Sequence, residues 1–233
     1  MATLSPDKTG CQPRPVAEVL AEAYASNRDQ PIDAAIALAF ASELTRQVRD
    51  AAPKLAIEIG MANGLSSLAI LAGLQPGGRL ISIDPFQDTQ WHDEGRRLVA
   101  KTDRANDHTL IQDFDYLALP DLLRQGAEVD FAYIDGMHTF DYVALDAFFV
   151  DRLLKVGGVV AFNDCGFRSI HKYLRFFRNH RHYAELDTHL PHDFRGRNPL
   201  VTLLRRAQGR SNQDRYFKKL DRWEGDHNFF RNF

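Results

Sequence analysis

Apolar residues recur along this chain in two rhythms, and the change from one to the other falls at Pro53. Upstream the period is helical. In "PVAEVLAEAYASN", Val16, Leu20 and Tyr24 fall on one helix face, and Pro31 fits the first position of a second helix, "PIDAAIALAFASELTRQVRDA". Downstream, the short apolar runs "KLAIEIG", "GRLISID", "HTLIQD", "VDFAYID" and "GGVVAFND" alternate with amphipathic segments of helix length. Strand then helix, repeated, predicts an α/β fold whose mostly parallel sheet carries helices on both faces. Gly77-Gly78 and Gly157-Gly158 supply the turns that open two of the strands. In "FRSIHKYLRFFRN", Ile170, Tyr173, Leu174 and Phe177 define another helix. "HYAELD" and "PLVTLLRR" read as two further strands, and the short loop between them requires an antiparallel pair. The last stretch, "SNQDRYFKKLDRWEGDHNFFRNF", reads as a helix packing its aromatics on the domain or on a second subunit. This divides the chain into a helical extension over residues 1–52, a sheet-bearing domain over 53–207 and a basic aromatic tail over 208–233.

At 233 residues and 44% hydrophobic, the chain is long enough for one α/β domain with a substantial core. Its longest apolar stretches fall short of the roughly 18 residues of a membrane helix, and "MATLSPDKTG" has neither a basic nor an apolar leader region. A cytoplasmic protein with no membrane partner is expected. Cys11 and Cys165 match no zinc spacing and read as free thiols. The net charge of −2 conceals an asymmetry: residues 165–233 hold 15 Lys and Arg against 7 Asp and Glu, whereas residues 1–164 hold 14 against 24. The basic residues follow no RNA-binding motif, which disfavours a nucleic-acid partner.

Each apolar run brings an acid to the carboxyl end of its strand: Glu58, Asp84, Asp113, Asp135 and Asp164. That end is where open parallel sheets bind ligands. The turn after the first run, "EIGMANG", lacks the third glycine of a dinucleotide fingerprint, and Leu65 stands where a P-loop needs lysine. A ligand with positive charge and hydroxyls fits better than a phosphate.

The ordered set "EIGMANG", "ISIDPF", "AYIDGMH" and "GGVVAFNDC" resembles the class I S-adenosylmethionine-dependent methyltransferases over roughly residues 50–205, and among them bacterial small-molecule O-methyltransferases of the catechol and macrolide-sugar type. The resemblance implies a Rossmann-like, mostly parallel seven-stranded sheet whose last strand is antiparallel, and S-adenosylmethionine as cofactor. It implies that Gly60, Met61 and Gly64 line the aminocarboxypropyl group and that Ser66 holds its carboxylate. Asp84, followed by Pro85, would take two hydrogen bonds from the ribose, and Gln112 and Asp113 would touch the adenine edge. Glu58 either belongs to this cofactor set or braces the turn.

Base-methylating relatives carry Asn/Asp-Pro-Pro-aromatic after the fourth strand, where this chain has Asp135-Gly136-Met137-His138. A small hydroxylated acceptor, such as a sugar or natural product, is therefore expected. By the resemblance, Asp135, Asn163 and Asp164 occupy the positions that hold Mg²⁺ or another divalent cation in metal-dependent relatives, although Asn precedes Asp here. His138 occupies the place of a catalytic lysine and suits a general base, with Asp135 beside it. The two activations are compatible. Alternatives are methylation of RNA or another polyanion, and a non-catalytic cofactor-binding subunit; the aromatic tail makes a homodimer an open expectation.

Overall fold

A computed structural model describes residues 12–26 and 36–233. Cys11 and the predicted helix start at Pro31 lie outside them. Five strands follow the five apolar runs: β1 (Leu55–Ile59), β2 (Arg79–Ile83), β3 (His108–Ile111), β4 (Val129–Ile134) and β5 (Leu154–Phe162). With β6 (Tyr183–Leu186) and β7 (Arg215–Lys219) they form one sheet in the order β3-β2-β1-β4-β5-β7-β6. All neighbours from β3 to β5 pair parallel, and β7 runs antiparallel to both β5 and β6. The sheet is thus mixed, with one reversed strand.

The helices are α1 (Val16–Ser26), α2 (Leu38–Ala51), α3 (Leu65–Gly73), α4 (Glu94–Ala100), α5 (Asp115–Arg124), α6 (Phe140–Leu153), α7 (Arg168–His180) and α8 (Pro199–Ala207). One core lies between the sheet and α5, α6 and α7; the other joins α1, α2 and α3 to the opposite face. Strand side chains alternate between them, so Ile57 and Ile59 enter the first and Ala56 the second. On α2, Ala41, Leu44 and Val48 are fully buried, each of the two larger ones stabilising by about 1.5–3 kcal/mol relative to exposure. Thr45 Oγ1 donates to the carbonyl of Ala69 on α3 at 2.9 Å. The helical extension is thereby fixed to the α3 layer.

The two segments nearest the C-terminus exchange roles relative to the sequence reading. "PLVTLLRR" is α8 rather than a strand. Pro199 stands in its first turn, Asn198 accepts the Val201 N–H as N-cap, and Leu200, Leu203 and Leu204 follow helical spacing. The strand comes from "RYFKK" in the supposed tail helix, where Tyr216 and Phe217 are buried against opposite faces of the sheet. The sheet-bearing core therefore extends past residue 207 to Lys219. Beyond it the tail is non-helical and packs on its own domain: Trp223 stacks on His182 with ring centroids 4.5 Å apart, and Phe233 meets Phe176 edge-on.

Much of the basic excess has internal partners. Arg178 and Arg215 both pair with Glu185, while Arg181 and Lys219 pair with Asp151.

Candidate active site

The chain runs outward from β1 through β2 to β3 and then returns to β4 on the other side of β1. That reversal opens a crevice at the carboxyl ends of β1 and β4. The residues that follow the strands are held at one level by backbone bonds to the neighbouring strand end: Gly60 N–H donates to Ile83, Asp84 to Ile111, Asp135 to Ile59 and Asn163 to Ile134, at 2.9–3.1 Å. The crevice is a cavity of about 540 Å³ lined by residues from all four loops, together with Ile36, Ala37 and Phe40 ahead of and on α2.

Gly60 has φ +86°, and a Cβ there would lie 2.3 Å from the carbonyl oxygen of Asp135. Only glycine lets the β1 and β4 loops approach so closely. Met61, Ala62, Asn63 and Ser66 line the cavity, and Gly64, at φ +82°, caps α3 without reaching it. Asp84 lies on the wall and ties the turn: its Oδ2 accepts the N–H groups of Met61 and Ala62 at 3.0 and 2.7 Å, and Oδ1 accepts that of Phe86 at 2.8 Å. A carboxylate offers about four acceptor sites. Gln87 Nε2 makes a longer contact to the same Oδ2 at 3.4 Å, so the free acceptor capacity of the carboxylate lies on Oδ1.

Besides Gly64, three expected cofactor residues lie off the cavity lining. Glu58 is fully buried behind the wall, where Ser67 and Ser82 donate to its Oε2 at 2.5 and 2.6 Å. Burial pushes its pKa up to about 7, against the lowering effect of the surrounding serines. Gln112 donates outward to Asp88, and Asp113 accepts the Phe114 N–H. In their place Phe114 and Asp115 line the cavity, with Pro85 and Phe86 beside them. The rings of Phe86 and Phe114 meet edge-on at 5.8 Å. Asp115 is the first residue of α5, and the sequence "DFD" offered two acids without showing which one turns inward.

On the opposite side, Asp135, His138, Asn163 and Asp164 come together. Asp135 Oδ1 accepts from Asn163 Nδ2 at 2.6 Å and lies 3.3 Å from His138 Nε2. Asp164, at φ +50°, brings Oδ2 to 3.7 Å from the same nitrogen. The His138 ring stacks on Phe167, and Ser169 donates to the His138 carbonyl, fixing the loop. Burial alone would lower the His138 pKa; the hydrogen bond and charge of Asp135 and the charge of Asp164 outweigh it and raise it above the ordinary value. Burial raises Asp135, against the opposing effect of His138 and Asn163.

This arrangement does not fit the expected divalent-cation site. The His138 imidazole lies within 3.7 Å of both carboxylates, and the Asn163 side-chain oxygen accepts the Asp164 N–H at 2.7 Å. Trp91 stands on the cavity lining, whereas His180 is buried under the tail and accepts the Arg231 N–H. Cys165 is buried and its thiol contacts backbone carbonyls, as expected of a non-catalytic cysteine.

Residues 57–165 match the family described as "Methyltransferase domain". Over that stretch the chain is similar to methyltransferase domains. The caffeoyl-CoA O-methyltransferase of Stellaria longipes is 28% identical over 124 residues, 52% of this chain and 50% of the relative. The flavonoid 3',5'-methyltransferase of Vitis vinifera is 29% identical over 114 residues, 48% and 47% of the two chains. The chain thus aligns with about half the length of these curated relatives. The methyltransferase fold extends further: the O-methyltransferase TomG of Streptomyces achromogenes, solved in complex with SAM and involved in tomaymycin synthesis, superposes with a TM-score of 0.66 at 16% identity, covering 88% of this chain and 90% of its own.

Proposed function

We propose that this protein transfers the methyl group of S-adenosylmethionine to a hydroxyl of a small molecule, with His138 as general base and without a metal ion. The observation that carries the reading is the Asp135–His138 pair on the wall of a cavity whose other side is the glycine turn. The cavity chemistry suits the cofactor. The described lining contains Asp84, Asp115, Asp135 and Asp164 but no Lys or Arg, so it favours a cationic ligand over a phosphate. Gly60 leaves room where any Cβ would collide, Ser66 lies in the first turn of α3, and the remaining acceptor site of Asp84 suits a ribose hydroxyl. Phe86 and Phe114, with Asp115 next to them, suit a flat heteroaromatic ring bearing an amino group.

When bound, the cofactor supplies an electrophilic methyl group on a cationic sulfur. The protein's own part is alignment and proton removal. His138 Nε2–H donates to Asp135, which assigns the lone pair to Nδ1 and orients the ring. The acceptor hydroxyl loses its proton to that lone pair as its oxygen takes the methyl group, and Asp135 and Asp164 stabilise the imidazolium that forms. Asn163 holds Asp135 in place through its amide. The apolar walls from Ile36, Phe40, Trp91 and Tyr142 suit an uncharged acceptor body, and the absence of basic residues from the described lining disfavours a polyanion.

The test is incubation with S-adenosylmethionine and a panel of phenols, hydroxylated natural products and sugars in the presence of chelator, followed by mass spectrometry. The expected result is a product one methylene heavier than its acceptor, formed by the wild type and absent with His138→Ala. Product formed only after a divalent cation is restored, or equally well by His138→Ala, would overturn the reading.

A further inference from the structure

Asp146, in the middle of α6, is fully buried, and neither of its carboxyl oxygens accepts from an N–H or hydroxyl donor in the structure. An ionised carboxylate cannot be kept dry in that state without strong destabilisation, whereas a neutral carboxyl can if its proton finds an acceptor. One acceptor is within reach. The Asp115 side chain, across the packed contact between α5 and α6, is in hydrogen-bonding position to Asp146. The other titratable groups that sense Asp146 are Tyr142 on its own helix and Tyr173 on α7, and neither supplies a positive charge. Asp146 also lies directly beneath the loop that carries Asp135 and His138: a Cβ on Gly136 would stand 4.0 Å from its Oδ2.

Asp115 is the partner that faces the ligand. It is largely buried yet lines the cavity, and its Oδ1 already accepts the Tyr116 N–H at 2.7 Å. A bond from Asp146 would use one of its remaining acceptor sites and leave the carboxylate fixed in direction. We propose that Asp146 is a positioning residue for the cofactor: its carboxyl donates to Asp115 and holds that carboxylate as an acceptor for the exocyclic amino group of adenine. The proposal rests on the S-adenosylmethionine reading given above. Burial, followed by the charge and hydrogen bond of Asp115, pushes the Asp146 pKa up to about 9, so the donor is present at neutral pH and is lost in alkali. An Asp that must act as a donor can be replaced by Asn, whose amide donates at every pH, but not by Leu.

The experiment is calorimetric titration of S-adenosylhomocysteine, and of its inosyl analogue in which oxygen replaces the amino group, into wild type, Asp146→Asn and Asp146→Leu between neutral pH and pH of about 10. The wild type should prefer the adenosyl ligand and lose about tenfold in affinity as Asp146 gives up its proton, the equivalent of one hydrogen bond. Asp146→Asn should keep the neutral-pH affinity and lose the alkaline decline; Asp146→Leu should lose the preference between the two ligands at every pH. An Asn variant with the wild-type alkaline decline would overturn the proposal, as would a Leu variant that still discriminates. If Asp146→Leu does not fold, the Asn profile decides alone. No saturable heat with the wild type at any pH would remove the cofactor reading and this inference with it, an outcome distinct from the others.

Discussion

His138 Nε2 lies 3.3 Å from Asp135 Oδ1 and 3.7 Å from Asp164 Oδ2, so one imidazole is flanked by two carboxylates brought in by different strands. Asp135 follows β4 and Asp164 follows β5, and both stand where a hard cation is expected from the sequence. With the imidazole beside them, the local positive charge is a titratable one. On the proposed reading the site responds to pH rather than to chelators.

Removal of the base tests the first consequence. His138→Ala should lower kcat by roughly 10²- to 10⁴-fold, the usual contribution of a positioned general base. Affinity for S-adenosylhomocysteine should be unchanged, because the glycine turn and Asp84 are untouched. Steady-state rates and calorimetry on the same preparation check both halves.

The pH dependence has a defined sign. His138 must be neutral to accept a proton, and its pKa is raised by Asp135 and Asp164 in spite of burial. The rate should therefore fall as pH drops through a value above that of an ordinary imidazole. In Asp135→Asn the inflection should move to lower pH, and the maximal rate should also fall because the ring loses its orienting acceptor. A pH–rate profile of each variant reads this directly.

Chelation gives a third prediction. Treatment with EDTA followed by desalting should leave the turnover of an accepted substrate unchanged, and added Mg²⁺ should not raise it. Activity that falls with chelator and returns with Mg²⁺ would place Asp135 and Asp164 in a metal site after all.

Glu58 predicts a stability effect away from the chemistry. Its folded pKa of about 7 exceeds the ordinary 4.5 of a glutamate. A raised carboxyl contributes stability that is fully present below the unfolded pKa and is lost as pH rises through the folded one. The free energy of unfolding should therefore decline from about pH 4.5 to just past pH 7, by an amount on the order of 3 kcal/mol, and the melting temperature should fall with it. Glu58→Gln, which can still accept from Ser67 and Ser82, should flatten that decline. Thermal melts across the range check it.

The site was legible where the chemistry follows a strand directly. Asp84, Asp135 and Asn163 sit at the first position beyond buried strands, so the parallel sheet fixes the level from which the loops carrying Asp164 and His138 start. Glu58 was harder, because it is the penultimate residue of β1: the period-two alternation sends it into the α3 layer instead of the crevice. Asp115 and Asp146 belong to helices, where orientation depends on how α5 and α6 pack, and no local pattern encodes that. The exchange between α8 and β7 has a similar cause. "PLVTLLRR" is β-branched and apolar enough to resemble a strand but has no face to bury, whereas "RYFKK" carries charges at its ends and takes its strand conformation from the slot between β5 and β6.

On the proposed reading, cofactor binding depends most on the Gly60 turn. Gly60→Ala would force a left-handed φ on a residue with a side chain, at about 1–3 kcal/mol, and drive its Cβ into the Asp135 carbonyl. The most direct measurement is calorimetric titration of S-adenosylhomocysteine into wild type and Gly60→Ala, with NADH as the control ligand. The account predicts saturable one-site binding to the wild type, no binding of NADH, and loss of binding in the variant. A wild type that takes up no S-adenosylhomocysteine, or a Gly60→Ala protein that binds it equally well, would contradict it.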